Sequence, residues 1–234
     1  MLAILKKEFK GYFMSPIGYI FVGVFTFLAS MFFSSGVLMY QQADIGLVFS
    51  NINIVYLFLV ALLTMRLISE EKNKRTDQLL LSSPVSVTEI VIGKYLAAMS
   101  VFGVTLIVSL VYPTIMFMFG EPVLSEIIGS YIGFVLLWGA FIAVGLFISS
   151  LTESQVIAGV FTFASLLMIY FISWFESSVN SVVMKKIINW FSLFSRYNEF
   201  QNGILNIQSV IYYLSFIFVF LFLTVRVIDK RRYS

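Results

Sequence analysis

The chain has 234 residues, of which 60% are hydrophobic and 12% are charged, whereas soluble domains average about 45–50% and about 25%. It contains no Cys and no His, which excludes disulfide and thiol chemistry and removes the usual zinc ligands and the imidazole of most acid–base catalysts. The net charge of +3 is too small to indicate nucleic-acid binding, so composition predicts one integral membrane domain.

The first fifteen residues predict an amphipathic helix. Apolar side chains recur about one helical turn apart between Ile4 and Phe13, and Lys6, Lys7 and Lys10 lie between them. We expect this helix to lie in the inner membrane interface, with its lysines toward anionic headgroups. The apolar run after it is too long for the core of a cleaved signal peptide, so we interpret that run as the first transmembrane span.

Six apolar stretches approach or exceed the length needed to cross about 30 Å of hydrocarbon at about 1.5 Å per residue. They cover residues 17–40, 48–68, 93–119, 127–149, 156–175 and 210–228. These stretches predict an all-α integral membrane fold with six transmembrane helices. Pro113 lies inside the third stretch. It predicts either a kink whose freed carbonyl is satisfied by a neighbouring helix or a tolerated proline without mechanistic importance.

The basic residues indicate how the chain is oriented in the membrane. With the N-terminus inside, the inner segments hold twelve of the fifteen Lys and Arg residues. These are Lys6, Lys7, Lys10, Arg66, Lys72, Lys74, Arg75, Lys94, Arg226, Lys230, Arg231 and Arg232. The outer segments hold Lys185, Lys186 and Arg196. By the positive-inside rule, we expect both termini in the cytoplasm and the protein in a bacterial-type cell membrane.

The connection before the last span, residues 177–207, is too long for a simple turn. Its apolar residues recur at helical spacing, as at Trp190, Phe194 and Tyr197, whereas Lys185 and Arg196 fall on other faces. This pattern predicts an external amphipathic helix. The helix either packs on the outer ends of the spans or dips into the outer leaflet, and a role in gating stays open.

The connection between the second and third spans is the most informative segment. It opens with a dense run of charge that we expect to be solvated in water, which places the end of the second span near Ile68. This run contains Glu70, Glu71, Lys72, Lys74, Arg75 and Asp77. Leucines at 79–81 then predict a short helical turn, which we expect Pro84 to end. Ser86 and Glu89 match the capping box S-x-x-E, so a second helix begins there and leads through Lys94 into the third span.

A helix–proline–helix elbow over residues 76–92 suits a rigid lever that transmits motion from a soluble partner, although an ordinary capped interfacial loop would look the same. The chain has no nucleotide site, because Gly93-Lys94 precedes Tyr95 and Thr88 stands where a phosphate loop requires glycine. It also lacks the H-E-x-x-H and G-x-S-x-G motifs of metalloproteases and serine hydrolases. We therefore expect no catalytic, cofactor-binding or metal-binding residues.

Uncharged polar residues in the second and fifth spans are candidates for a substrate path, or alternatively make hydrogen bonds between helices. They are Asn53, Tyr56, Thr64, Thr162 and Ser165. No charged residue lies at the centre of a span, which disfavours an ion-coupled carrier. Gly129 and Gly133 form a G-x-x-x-G pattern, which predicts close helix packing.

With these motifs, the chain resembles the permease subunits of ABC type-2 exporters, particularly the small six-span permeases related to the gliding-motility-associated and copper-site-maturation transporters of bacteria. The residues that carry the resemblance are Ser15-Pro16-Ile17-Gly18-Tyr19, Glu70-Glu71-Lys72, Arg75-Thr76, Leu79-Leu80, Ser83-Pro84-Val85-Ser86, Ile90 and Gly93-Lys94. The overall plan of the chain is similar as well. One departure is Arg75, because the family commonly has glycine before the threonine, and this difference bears on the local backbone turn.

The resemblance implies that the region from Pro84 to Glu89 is a coupling helix that docks in a cleft of a separate ABC ATPase. The implied coupling residues are Leu79, Leu80, Pro84, Val85, Ser86, Val87, Thr88 and Glu89, supported by Glu70, Glu71, Lys72 and Arg75. It also implies two permease subunits, identical or similar, with two ATPases that bind ATP and Mg²⁺. The expected function is ATP-driven export of a substrate. The alternatives are a non-transporting membrane scaffold and an ion-coupled carrier.

Overall fold

The computed structural model describes residues 1–39, 44–76, 85–178 and 192–232. Within these ranges every regular element is a helix, which confirms the predicted all-α fold class. The helices are α1 (Leu2–Met14), α2 (Pro16–Phe32), α3 (Ile45–Thr64), α4 (Ser69–Asn73), α5 (Val87–Ser109), α6 (Val111–Phe119), α7 (Leu124–Leu151), α8 (Gln155–Ser178), α9 (Leu193–Gln201) and α10 (Ile207–Arg232). A π-helical segment, Phe33–Leu38, continues α2.

In the described part of the chain, six helical stretches are long and apolar enough to cross a membrane, which confirms the predicted number of spans. They are Pro16–Leu38, Ile45–Asn73, Val87–Phe119, Leu124–Leu151, Gln155–Ser173 and Ile207–Arg231. The second combines α3 with α4, and the third combines α5 with α6. The separate helix α1 packs along α5 and α2.

Helix α7 is the central helix of the bundle. It packs against α3, α8, α9 and α10, and its glycines bring two of these neighbours close. A Cβ atom added to Gly133 would lie 2.6 Å from the Phe200 Cβ of α9, and one added to Gly145 would lie 2.2 Å from the Thr64 Oγ1 of α3. The close packing predicted from the G-x-x-x-G pattern is confirmed, and α9 is the helix that uses it.

A cluster of aromatic rings joins α2, α3, α5 and α7 in the interior. The Phe102 and Trp138 rings stack with their centroids 4.4 Å apart, and the Phe25 and Tyr56 rings stack at 5.0 Å. The ring of Phe134 contacts all four. Each such pair contributes about 0.5–1.5 kcal/mol beyond the area that it buries. Because lipid is as apolar as these rings, shape-matched packing rather than the hydrophobic effect holds the spans together.

Pro113 interrupts the third span, as its position in the sequence predicts. Helix α5 ends at Ser109 and α6 begins at Val111, because proline has no N–H to donate to the carbonyl four residues earlier. The freed carbonyl of Ser109 instead accepts a hydrogen bond from the Tyr131 hydroxyl of α7, at 2.9 Å. A neighbouring helix therefore satisfies the interrupted backbone, as expected for a proline inside a membrane.

The two ends of the bundle differ in their chemistry. We call the end that contains α1, α4 and the start of α5 the charged end, and the other the opposite end. At the opposite end, Asp44 caps α3 by accepting a hydrogen bond from the Gly46 N–H at 2.7 Å. The Gln201 amide of α9 donates to the Gly46 carbonyl at 2.9 Å and to the Ser50 hydroxyl at 2.8 Å. The end of α9 is thus tied to the start of α3.

Helix α9 runs antiparallel to α7, from the interior of the bundle to the opposite end. The Phe194 ring in its first turn lies 5.7 Å from the ring of Phe141, which is about 25 Å along α7 from Leu124. Phe200 in its last turn packs on Gly129 and Gly133. The described part of the predicted external segment is therefore a helix that enters the bundle. Lys185, Lys186 and Trp190 lie outside the described residues.

Candidate functional site

One lysine at the charged end is almost completely buried. The Lys94 side chain of α5 is 2% exposed, and its Nζ lies 2.9 Å from the Glu8 Oε1 of α1 and 2.8 Å from the Glu71 Oε2 of α4. The same ammonium donates to the Leu67 carbonyl at 2.7 Å. All three of its N–H groups therefore have acceptors. Lys94 joins α1, the end of the second span and α5 at a single point.

The two carboxylates compensate a charge that would otherwise be very costly to bury. We call Glu8, Glu71 and Lys94 the Lys94 cluster. No sequence motif connects Glu8 with Lys94, and the available signal is that Glu8 is a lone acid among lysines and Lys94 is a lone charge at the start of an apolar span. Glu8 is the single acidic residue before Asp44, and Lys94 is the single charged residue between Glu89 and Glu121. Isolated charges beside apolar spans are candidates for mutual pairing.

Arg66 fixes the corner between α1 and α2. Its guanidinium donates to the Ser15 hydroxyl at 2.9 Å, lies 3.5 Å from Glu70 Oε2, and sits 5.0 Å from the centre of the Tyr12 ring. The Tyr12 hydroxyl donates to the Leu63 carbonyl at 2.7 Å. Burial raises the pKa of the Tyr12 hydroxyl above its usual value, so this hydroxyl remains a neutral donor.

The same corner explains the residues that follow Ser15. Pro16 occupies the first position of α2, where its missing N–H costs no helical hydrogen bond. A Cβ atom added to Gly18 would lie 2.7 Å from the Tyr12 carbonyl oxygen. Only glycine therefore lets the first turn of α2 approach α1 this closely.

The interruption between α3 and α4 is held by a serine of α7. The Ser149 hydroxyl accepts hydrogen bonds from the N–H groups of Ile68 and Ser69, at 3.2 and 3.1 Å, and donates to the Met65 carbonyl at 3.2 Å. Backbone groups at a helix end need such partners when they are buried. Ser149 of α7 therefore supplies the hydrogen-bond partners that a continuous helix would have provided. It also ties α4 to the last turn of α7.

Arg75 ends α4 in the left-handed conformation, with a φ of 55°. The Arg75 N–H donates to the Lys72 carbonyl at 3.1 Å, and the Thr76 N–H donates to the Glu71 carbonyl at 2.9 Å. This pair of hydrogen bonds is the Schellman motif, whose left-handed position is usually glycine. Arg75 therefore adopts the left-handed turn at the position where the permeases that this chain resembles commonly have glycine.

The described part of the charged run, residues 70–75, is only partly solvated, which corrects the expectation that it lies in water; Asp77 lies outside the described residues. Lys72 and Glu71 are largely buried, whereas Arg75 is exposed. The Lys72 ammonium donates to the Ser150 carbonyl of α7, and Glu71 pairs with Lys94 of α5. The sequence shows these charges, but their partners come from helices that are distant in the chain.

The start of α5 carries the predicted coupling residues that the structure describes. The Glu89 N–H donates to the Ser86 hydroxyl at 3.2 Å, and the Ser86 N–H donates to Glu89 Oε2 at 3.4 Å, which confirms the capping box. Ser86, Thr88 and Glu89 are exposed, whereas Val87 is buried and Val85 is partly buried. Leu79, Leu80 and Pro84 lie outside the described residues. The first turn of α5 therefore presents a small polar surface.

The candidate path residues have different surroundings. Tyr56 belongs to the aromatic cluster, Thr64 and Thr162 are buried, and Ser165 is partly buried. Asn53, in contrast, lines a cavity of about 220 Å³ between α3, α8 and α9. The other lining residues are Ser50, Tyr170, Ser173, Phe194, Ser195 and Asn198. They escape sequence reasoning because they come from three helices that meet only in the folded chain.

Comparison with known families finds one description that fits this architecture. The model of the family described as ABC-2 family transporter protein matches residues 2–231. The match includes α1, the Lys94 cluster, the capped start of α5 and all six candidate spans. A comparison with curated proteins finds no significant match.

Proposed function

The chain belongs to the ABC-2 transporter family, and we propose that it is the permease subunit of an exporter driven by a separate ABC ATPase. The ATPase binds and hydrolyses ATP with Mg²⁺, and this chain binds neither. A second permease subunit, identical or similar, completes the path across the membrane. We place the chain nearest to the gliding-motility-associated and copper-site-maturation permeases, on the motifs that it shares with them.

The distribution of basic residues supports an orientation with the charged end in the cytoplasm of a bacterial-type cell. Among the described residues, Arg196 is the single Lys or Arg away from the charged end. Cytoplasmic segments of membrane proteins are enriched in these two residue types. Both termini are then cytoplasmic, and α9 enters the membrane from the outside.

The ATPase contacts the first turn of α5 and the segment before it. This surface comprises Leu79, Leu80, Pro84, Val85, Ser86, Thr88 and Glu89, with the buried Val87 holding the turn against the bundle. The capping box makes the turn rigid, because both Ser86 and Glu89 satisfy backbone groups at the helix start. A rigid contact transmits displacement, whereas a flexible loop would absorb it.

The observation that carries the proposal is the position of the Lys94 cluster, just over one helical turn after Glu89. A displacement of the start of α5 reaches Lys94 through helical backbone. It then passes to α1 through Glu8 and to α4 through Glu71. Because Ser149 ties α4 to α7, the central helix joins the same unit. The docking surface is supported by charged residues in and just after α4, namely Glu70, Glu71, Lys72 and Arg75.

The experiment measures binding of the cognate ABC ATPase to the chain in lipid nanodiscs. We expect Thr88→Arg to weaken binding about tenfold, because a bulky cation then occupies the docking surface without touching the capping box. Gln208→Arg is the matched control, since Gln208 is exposed at the opposite end and should leave affinity unchanged. Absence of binding to the unmodified chain, or equal effects of the two variants, would contradict the proposed docking surface.

A further inference from the structure

The cavity between α3, α8 and α9 leads from the surface of the bundle into its interior. Two of its lining residues, Ser50 and Asn198, are exposed, whereas Asn53 is 8% exposed. The Ser50 hydroxyl accepts a hydrogen bond from the Gln201 amide, which places the mouth of the cavity beside the contacts of the opposite end. In the proposed orientation, the cavity therefore opens toward the outer side of the membrane.

The volume of the cavity limits the size of the group that it can hold. The cavity measures about 220 Å³, which is several times the ~30 Å³ that one water molecule occupies in the liquid. It is smaller than the roughly 300–1,000 Å³ of sites that enclose a whole drug-sized ligand. A group of the size of one sugar ring fits between these limits, and the rest of a larger ligand would lie outside.

The lining of the cavity is polar but carries no formal charge. The two charged side chains of α9 contact α10 instead. The Arg196 guanidinium lies 4.2 Å from the centre of the Tyr212 ring, and the Glu199 carboxylate accepts a hydrogen bond from Ser209 at 2.8 Å. An ion in the cavity would lose hydration without meeting an opposite charge. The cavity therefore favours a neutral group.

Three side chains at the cavity wall have unused capacity for hydrogen bonds. The side-chain amides of Asn53 and Asn198 and the hydroxyl of Tyr170 form no hydrogen bond with any residue that the structure describes. An amide supplies two N–H donors and a carbonyl acceptor, and a tyrosine hydroxyl can donate and accept. Because a buried polar group without a partner costs free energy, a ligand that carries hydroxyl and amide groups would stabilise this wall.

An aromatic surface adjoins these polar groups. The rings of Tyr170 and Phe194 meet edge to face with their centroids 5.0 Å apart, and both residues line the cavity. A sugar ring carries polar groups around its edge and C–H groups on its faces, so it can contact the polar wall and the aromatic wall together. Apolar and aromatic walls with a few polar groups that fix orientation are typical of ligand sites.

We propose that this cavity binds one neutral, sugar-like ring of the exported substrate, which carries hydroxyl and amide groups. Asn53 and Asn198 form hydrogen bonds with the edge of the ring, together with the Tyr170 hydroxyl. The rings of Tyr170 and Phe194 contact its C–H groups. The inference rests on the proposed transport function, because it assigns a substrate class to that permease.

The binding test uses the chain alone in phosphatidylcholine nanodiscs and saturation-transfer NMR in mildly acidic buffer. The probe is N-acetylglucosamine, a neutral ring with hydroxyl groups and one amide, and empty nanodiscs are the blank. We expect a signal from this probe and much weaker signals from glucosamine, which is a cation, and glucuronate, which is an anion. No signal above the blank from N-acetylglucosamine, or equal signals from the charged sugars, would overturn the inference.

Asn53→Leu distinguishes a ligand contact from a structural contact. We expect about tenfold weaker binding, with a melting temperature that is unchanged or higher, because no hydrogen bond within the described chain is lost. Asn51→Leu is the matched control, since Asn51 is exposed on the same helix and does not line the cavity. It should bind the probe normally. A lower melting temperature with normal binding for Asn53→Leu, or equal binding by the two variants, would overturn the proposal.

Tyr170→Phe tests the other side of the cavity independently. It removes the hydroxyl but keeps the ring that packs on Phe194, so the fold should be retained while binding weakens severalfold. Full binding of N-acetylglucosamine by this variant would overturn the contact with the Tyr170 hydroxyl.

A third arm tests whether the bound ring belongs to the substrate. The cognate ATPase is added to the same nanodiscs with ATP and Mg²⁺. N-acetylglucosamine should raise the rate of ATP hydrolysis with the unmodified chain and with Asn51→Leu, but not with Asn53→Leu. A rate that does not respond to the sugar would overturn the assignment as substrate. Because the binding arms need no ATPase, their failure is distinguishable from a failure of the ATPase to dock.

Discussion

At the scale of single residues, Lys94 shows how a membrane protein can keep a charge in its interior. An exposed ion pair is worth about 0–1 kcal/mol, whereas removing one partner from a buried pair leaves the other charge uncompensated. Lys94 has two carboxylates and a carbonyl around one ammonium. Its contribution is therefore best measured against that of a lysine in an exposed pair, and Lys74 provides one.

We expect Lys94→Met to lower the free energy of unfolding by about 3–5 kcal/mol, because Glu8 would remain buried without a cation and Glu71 would retain only the largely exposed Lys7, 3.5 Å away. Reversible unfolding in mixed micelles measures this change. Adding Glu8→Gln and Glu71→Gln to Lys94→Met should restore much of the loss, since no buried charge remains.

The control for that prediction is Lys74→Met. Lys74 lies 2.7 Å from Glu70, but its side chain is 63% exposed, so the loss should stay below about 1 kcal/mol. If the two lysine substitutions cost the same, the Lys94 cluster is not the structural centre of the charged end.

At the scale of elements, the third span is two helices joined by a satisfied break. Pro113 frees the Ser109 carbonyl, and Tyr131 of α7 bonds it. The break therefore depends on a neighbouring helix, unlike the start of α5, where Ser86 and Glu89 satisfy the backbone locally. This difference makes the break a sensitive reporter of contact between α5 and α7.

Tyr131→Phe should lower the free energy of unfolding by about 1–2 kcal/mol, because the Ser109 carbonyl loses its donor inside the membrane. In a Pro113→Ala background the same substitution should cost less, since alanine returns the N–H that the carbonyl lacks. The comparison is a double-mutant cycle in mixed micelles. Tyr19→Phe, at an exposed position, serves as the control, and additive effects at 113 and 131 would refute the explanation.

At the scale of the whole molecule, three sets of contacts make the charged end one unit. The Lys94 cluster joins α1, α4 and α5, Arg66 joins the second span to the corner between α1 and α2, and Ser149 joins α4 to α7. The opposite end is joined separately, through Gln201 of α9 and Ser50 of α3. The cavity beside Asn53 lies near these latter contacts, away from the proposed docking surface for the ATPase.

Ser149→Ala should loosen α4 from α7, because the N–H groups of Ile68 and Ser69 lose their acceptor at about 1–3 kcal/mol for each group left unsatisfied. Hydrogen exchange at residues 68–73 should become faster. Ser150→Ala is the matched control, since its hydroxyl bonds only the Phe147 carbonyl of the same helix at 2.6 Å. Equal exchange in the two variants would show that Ser149 does not hold α4.

Features that depend on neighbouring residues could be predicted from the sequence. Runs of apolar residues determine the number of spans, because crossing hydrocarbon needs a fixed length of helix. Ser86 and Glu89 determine where α5 begins, and Pro113 determines where it breaks, because each acts on backbone groups within four residues. The family resemblance likewise rests on short motifs, such as Glu70-Glu71-Lys72.

Which polar groups meet is evident only from the folded chain. Glu8 and Lys94 are 86 residues apart, and the lining of the cavity beside Asn53 comes from three helices. Even the expectation that the charged run lies in water failed at Lys72, whose partner is the Ser150 carbonyl of α7. The physical reason is that the cost of burying a charge or an amide depends on its partners in space, and the linear pattern of residues does not contain those distances.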